Sequence, residues 1–143
     1  MSQPPTSPAA QPAVHRLELR VYYEDTDFSG LVYHASYLRF LERGRTEWLR
    51  AHGFGQRELA AGAAIVFAVR RIAIDYLRPA LMDDIIEVET RVVAVGGASI
   101  EFAQAALRGP ETLVRASVVV AALSNGRPVR LPREMRARFS APD

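Results

Sequence analysis

One long amphipathic helix in a chain otherwise made mainly of strands is the pattern that most constrains this sequence. Tyr37, Phe40, Leu41, Gly44 and Trp48 share one face of a helix predicted from His34 to Ala51, while Arg39, Arg43, Glu47 and Arg50 lie mostly elsewhere. Gly53 is a favoured helix stop, and a short second helix is expected over Gln56 to Ala61. Ahead of the long helix, Leu17, Leu19 and Val21 alternate with Arg16, Glu18 and Arg20, a half-buried strand. After it, Ala64 to Tyr76, Ile85 to Val95, Ser99 to Leu107 and Leu113 to Leu123 read as strands. Their connections, Gly96-Gly97 and Gly109-Pro110 among them, are short enough for an antiparallel meander. One helix cannot cover both faces of five strands, so a second copy of the chain is expected to cover the rest.

Single residues sharpen this outline. Gly44 costs about 1 kcal/mol against alanine inside a helix, and its place on the apolar face suggests close packing on the sheet. Trp48 belongs to the core, and Glu47 to the helix surface with Arg43 or Arg50 as partner. In the long strand Ile65 to Val69 is apolar on both faces, whereas Ile72, Ile74 and Tyr76 alternate with Arg71, Ala73 and Asp75. A strand that changes this way is expected to cross a subunit interface, which ends near Arg70 and Arg71. Val118 to Leu123 is apolar throughout and should be a central strand covered on both faces.

Length and composition exclude many alternatives. The 143 residues suit one domain, with 49% hydrophobic and 24% charged residues. Residues 1–14 contain four prolines among Ser, Gln and Ala and are expected to be a disordered tail. The folded domain is placed at 15–139, with 140–143 as a short tail. No apolar run reaches membrane-spanning length, and no basic-then-apolar leader precedes the first strand, so a cytoplasmic location is expected. With no cysteine, disulfides, thiol catalysis and thiolate metal sites are excluded. His15, His34 and His52 lack metal-ligand spacing, and no metal or cofactor is expected. All 18 basic residues are arginine and the net charge is only +2. Arg127, Arg130, Arg133, Arg136 and Arg138 read as a solvated tail rather than a nucleic-acid site, since no DNA-binding motif or interleaved aromatics accompany them.

The chemistry concentrates in Asp25-Thr26-Asp27-Phe28-Ser29-Gly30-Leu31-Val32-Tyr33-His34, between the first strand and the long helix. Asp27 is the leading carboxylate: near a helix N-terminus it stays ionised, able to act as base or nucleophile, or it merely caps the turn. Gly30 permits a tight backbone path beside it. The His34 amide, at the start of the helix, is a potential oxyanion donor, while its side chain either bonds a ligand or holds the loop. Tyr33 and Tyr37 either contact substrate or pack in the core; Arg70 and Arg71 either bind phosphate or face solvent. Glu24 and Asp25 diverge in an extended segment, which disfavours a paired-carboxylate glycosidase. No G-x-S-x-G elbow, P-loop or dinucleotide fingerprint occurs.

Arg20-Val-Tyr-Tyr-Glu-Asp-Thr-Asp27, Gly30-Leu-Val-Tyr-His-Ala-Ser-Tyr37, Phe40-Leu-Glu-Arg43 and Arg45-Thr-Glu-Trp-Leu-Arg50 closely resemble the YbgC-type acyl-CoA thioesterases. The likeness continues through Phe67-Ala-Val-Arg70-Arg71, Asp75-Tyr-Leu-Arg-Pro-Ala80, Gly126-Arg-Pro and Leu131-Pro132, over residues 16 to 139. These enzymes belong to the 4-hydroxybenzoyl-CoA thioesterase group and are associated with the Tol-Pal system. The resemblance implies an α+β hotdog fold, a five-stranded antiparallel sheet wrapped around one long helix. It also implies a homodimer joined edge to edge, often doubled to a homotetramer. It further implies hydrolysis of an acyl-CoA thioester without a cofactor, with Asp27 as the catalytic carboxylate and the His34 amide as carbonyl-polarising donor. Gly30 and Tyr33 match the surrounding loop, and Arg70 and Arg71 carry over as nucleotide contacts. The resemblance also admits an acyl carrier protein as a partner. A non-catalytic acyl-CoA or acyl-carrier binding module is the alternative on the same fold. The short interval from Asp27 to His34 disfavours a hydratase.

Overall fold

A computed structural model describes residues 14–62 and 64–140. The expectations for nearly all of the N-terminal tail and for residues 141–143 therefore lie outside the described residues. Strand β1 (His15–Arg20) leads through a 3-10 turn (Tyr23–Asp25) to helix α1 (Ser36–Ala51) and the short α2 (Gln56–Gly62). Then come β2 (Val66–Tyr76), β3 (Ile85–Val95), β4 (Ser99–Arg108), β5 (Glu111–Ser124), the two-residue β6 (Arg127–Pro128) and α3 (Arg133–Ser140). The strands form one sheet in the order β1-β3-β4-β5-β2, with β6 added to β5, and every pairing is antiparallel. This is the hotdog arrangement of an α+β protein, with a curled sheet around one long helix.

The expected meander holds for β3, β4 and β5, but β1 attaches outside β3, and β2 lies beyond β5 as the far edge. β5 is an interior strand as its apolar sequence requires: Val118, Val119, Val120 and Ala122 are buried, Ala121 and Leu123 half-buried. Among the described residues β2 pairs with β5 alone, which leaves its other edge unpaired there. Val66 and Val69, from its two-sided apolar half, are 51% and 50% exposed.

Helix α1 packs across β1, β3 and β4 through Tyr37, Phe40, Leu41, Gly44 and Trp48. At Gly44 the approach is so close that a Cβ would stand 2.7 Å from both Thr90 Oγ1 and Val88 Cγ1. Beneath it, Gln104 Nε2 donates to the Leu41 carbonyl (2.9 Å) and to Thr90 Oγ1 (2.8 Å). Buried Arg45 donates to Gln104 Oε1 at 3.1 Å, so Arg45, Gln104 and Thr90 satisfy one another inside this interface. Glu47 pairs with Arg50, as the helical spacing suggests.

The C-terminal arginines do not form a solvated tail. Leu131, Met135 and Phe139 are buried, and α3 seats Phe139 against Trp48 and Phe54 with ring centroids 4.8 and 5.4 Å apart. Arg138 Nη1 donates to the His52 carbonyl at 2.9 Å, tying α3 to the end of α1. The apolar residues recur at helical spacing, a signal hidden beneath the density of charge.

Gly44→Ala should lower stability by about 1–3 kcal/mol, because overpacking at two 2.7 Å contacts outweighs alanine's helix propensity of about 1 kcal/mol. Urea unfolding measures this, and an unchanged midpoint would mean that the helix can ride up off the sheet.

Candidate active site

The segment between β1 and α1 is held by both ends of Asp25. Its side chain is buried at 4% exposure, accepting the Tyr22 amide (2.8 Å) and Arg39 Nη2 (2.8 Å). Its carbonyl accepts the Tyr33 amide at 2.9 Å and the Ser36 hydroxyl at 3.1 Å. One residue thus fastens the 3-10 turn to the start of the helix. The chain between them doubles back, with Thr26 bridged to Val32 and Leu31 to Leu81. Gly30 makes this turn at φ +86°, donating its amide to the Asp27 carbonyl at 3.0 Å.

Asp27 stands on the exposed outer limb of this loop. Its Oδ1 accepts the Ser29 amide at 2.8 Å and also the Ser29 hydroxyl. These bonds hold its carboxyl below the usual carboxylate range, the Ser29 hydroxyl contributing most, the Ser29 amide next, with weaker help from the Leu31 amide.

Helix α1 begins at Ser36, two residues later than expected, and His34 and Ala35 form the turn before it. The Tyr33 carbonyl is engaged by the Ser36 amide at 2.8 Å, toward the helix. In a trans peptide the N–H points opposite to the C=O, so the His34 amide faces away from the helix. It donates to no group among the described residues. The His34 carbonyl in turn accepts the Tyr76 hydroxyl at 3.0 Å. The ring of His34 packs between those of Tyr33 (4.5 Å) and Tyr76 (6.2 Å).

Asp27 and His34 line one cleft of about 310 Å³. Its other walls are Leu31 and Val32 of the loop, Tyr37 of α1, and Tyr76, Leu77, Arg78 and Pro79 at the end of β2. An apolar recess with few converging polar groups is the usual form of a small-molecule site. Tyr37 packs in the core and also lines the cleft: it is 2% exposed, its hydroxyl accepts the Ala80 amide at 3.1 Å, and its ring meets that of Tyr76 at 5.7 Å. Burial raises the pKa of that hydroxyl. Arg108 braces the cleft floor, donating to the Pro79 carbonyl at 3.3 Å and to Asp84 at 2.7 Å.

The sequence-derived residues are not all brought together. Gly30 shapes the loop, and Tyr33 packs on His34 without lining the cleft. Arg70 and Arg71 are exposed farther back on β2, where a register shift between Val69 and Arg71 leaves Arg70 as the extra residue of a bulge. Neither lines the cleft with Asp27. The residues that sequence reasoning passed over are Ser29, Tyr76 and Arg78. Tyr76 and Arg78 lie within Asp75-Tyr-Leu-Arg-Pro-Ala80, and Asp27-Phe-Ser29 has the spacing at which a carboxylate caps an amide two residues on.

A family model described as Thioesterase superfamily matches residues 29–115. The chain is 47% identical over 123 residues to the acyl-CoA thioesterase YbgC of Haemophilus influenzae, covering 85% of this chain and 90% of that protein. It is also similar to the crystal structure of a probable thioesterase from Bartonella henselae, with TM-score 0.82 and 44% identity over 84% of this chain and all of that one. A Thermus thermophilus thioesterase, solved with coenzyme A and zinc, superposes with TM-score 0.75 at 30% identity, covering 87% of this chain and 90% of that one. The chain belongs to the thioesterase superfamily and, within it, to the YbgC-type acyl-CoA thioesterases.

Asp25→Ala should cost about 1–3 kcal/mol, because it strands the Tyr22 amide and the Arg39 guanidinium together. Denaturant unfolding measures the loss; a midpoint within error of wild type would show that the loop does not hang on this carboxylate.

Proposed function

We propose that the chain hydrolyses an acyl-CoA thioester to coenzyme A and a free acid in this cleft. The observation that carries the reading is that Asp27, its carboxyl held below the usual carboxylate range, and His34, whose backbone amide donates to no group among the described residues, line the same recess. In this reading the thioester carbonyl lies over the His34 amide, which stabilises the negative charge that develops on oxygen, a contribution of about 10²–10³ in rate for one such donor. Asp27 then attacks the carbonyl carbon to give a transient anhydride, or takes a proton from an attacking water. Tyr37, Tyr76 and Leu77 offer the acyl group an apolar wall, and Arg78 stands at the cleft as its cation.

The working form we propose is a homodimer, or a homotetramer built from it. What supports this is the free edge of β2, whose exposed Val66 and Val69 invite pairing with the same strand of a second copy. Light scattering of the purified protein checks it, and a single-chain mass at working concentration would refute it.

Asp27→Asn should reduce thiol release from acyl-CoA by well over 100-fold while the protein stays folded and binds substrate, since general-base contributions run about 10²–10⁴. Equal rates in both proteins would remove Asp27 from the mechanism. Absence of turnover by wild type on short, long and aromatic acyl-CoAs would favour the binding module instead. The pH profile follows from the lowered pKa. The base form is the active one, so the rate holds through the usual carboxylate range and falls only as pH drops through the depressed value.

A further inference from the structure

The geometry points to Ser29 as a positioning residue that grips Oδ1 of Asp27 through its amide and hydroxyl and so commits Oδ2 to the reacting atom. The inference rests on the reading of Asp27 as the catalytic carboxylate and goes one step beyond it. A carboxylate on an exposed loop would otherwise turn about its Cα–Cβ and Cβ–Cγ bonds, spreading its two oxygens over many directions. Here both Ser29 donors converge on the same oxygen: the amide at 2.8 Å and the hydroxyl. Two donors fixed to one backbone position define the plane of the carboxyl group as well as its distance. The loop that carries them is itself pinned, because Gly30 donates back to the Asp27 carbonyl and the Asp27 amide donates to the Leu31 carbonyl at 2.9 Å. Asp27 is thus held from both sides of its own backbone, while its second oxygen carries no hydrogen bond among the described residues.

The charged and titratable groups around the cleft do not take over this work. His34 comes from the turn before α1, Tyr37 from α1 itself, Tyr76 from β2 and Arg78 from just after it, and none of them hydrogen-bonds Asp27 among the described residues. Asp25, two residues back in the same motif, is paired with Arg39. Asp84 beneath the cleft is paired with Arg108. The grip on Asp27 is local, and the Ser29 hydroxyl is the part of it that a substitution can remove without touching the backbone.

Ser29→Ala and Ser29→Thr separate this role from simple loop structure. With wild type and Asp27→Asn alongside, kcat and KM for one acyl-CoA are measured from acid to neutral pH after matching thermal melts. Ser29→Ala should lower the plateau kcat by roughly 2- to 10-fold, the worth of one hydrogen bond, with KM changed less than twofold. Its acid limb should move to higher pH, because a bond favouring the ionised carboxylate has been lost. Ser29→Thr, which keeps the hydroxyl, should restore the wild-type limb. If Ser29→Ala superposes on wild type while Asp27→Asn is inactive, the Ser29 role is overturned and the Asp27 reading stands. A lower plateau with an unmoved limb, not restored by threonine, reduces Ser29 to a loop residue. An active Asp27→Asn overturns both.

Discussion

The closeness of α1 to the sheet at Gly44 is the constraint from which the rest of the architecture follows. A helix with a side chain there would have to stand off from Thr90 and Val88, and the Gln104 amide would lose its reach to the Leu41 carbonyl. Interior packing is dense enough that a helix cannot shift at one point without shifting along its length. The contact made at mid-helix therefore also fixes where the first turn lies, and with it Tyr37, Tyr33 and His34. The polar trio of Arg45, Gln104 and Thr90 gives the same contact direction, since its hydrogen bonds are satisfied in one register of helix on sheet.

From that anchored helix, the site is assembled by short-range bonds. Asp25 joins the 3-10 turn to Ser36 and Arg39 of α1, and the Tyr76 hydroxyl joins the turn before the helix to the far edge strand. These two ties come from opposite ends of the sheet order, because Asp25 follows β1 while Tyr76 closes β2. The recess between them exists because the sheet curls far enough for its edge strand to reach the helix N-terminus. That is how residues separated by 42 positions in sequence come to share one wall.

Much of this was legible in the sequence, for identifiable reasons. The helix face, the Gly44 approach and the interior strand β5 follow from periodicity and from one misplaced glycine, both local signals. The strand order was not legible, because which edge accepts β1 and which accepts β2 is decided by long-range pairing. Helix α3 was missed because five arginines dominate its segment, although Leu131, Met135 and Phe139 recur at helical spacing. At the site, Asp27, Gly30, His34 and Tyr37 were found through the loop's composition and its resemblance to a known motif. Tyr76 and Arg78 were not, because their membership depends on how far β2 extends past the helix. Arg70 and Arg71 stand out in sequence as a charged interruption of an apolar strand; in the fold they sit at the bulge of β2 and do not line the cleft with Asp27.

The motif Asp25-Thr26-Asp27 places two carboxylates on either side of one residue, and the fold gives them opposite environments. Asp25 is buried, and its side chain already holds an amide and a guanidinium, so neither oxygen is available to a substrate. Asp27 is outside, with Oδ1 occupied by Ser29 and Oδ2 without a hydrogen bond among the described residues. A buried, fully paired acid is costly to disturb and makes a good anchor; an ionised acid held by one oxygen makes a good base. The intervening Thr26 strengthens the division: its hydroxyl donates to the Tyr23 carbonyl at 2.7 Å, closing the 3-10 turn between the two environments. The anchor is what lets the proposed base stand on an exposed loop and still have a defined position, since the loop's origin and its return to the helix are both fixed by Asp25.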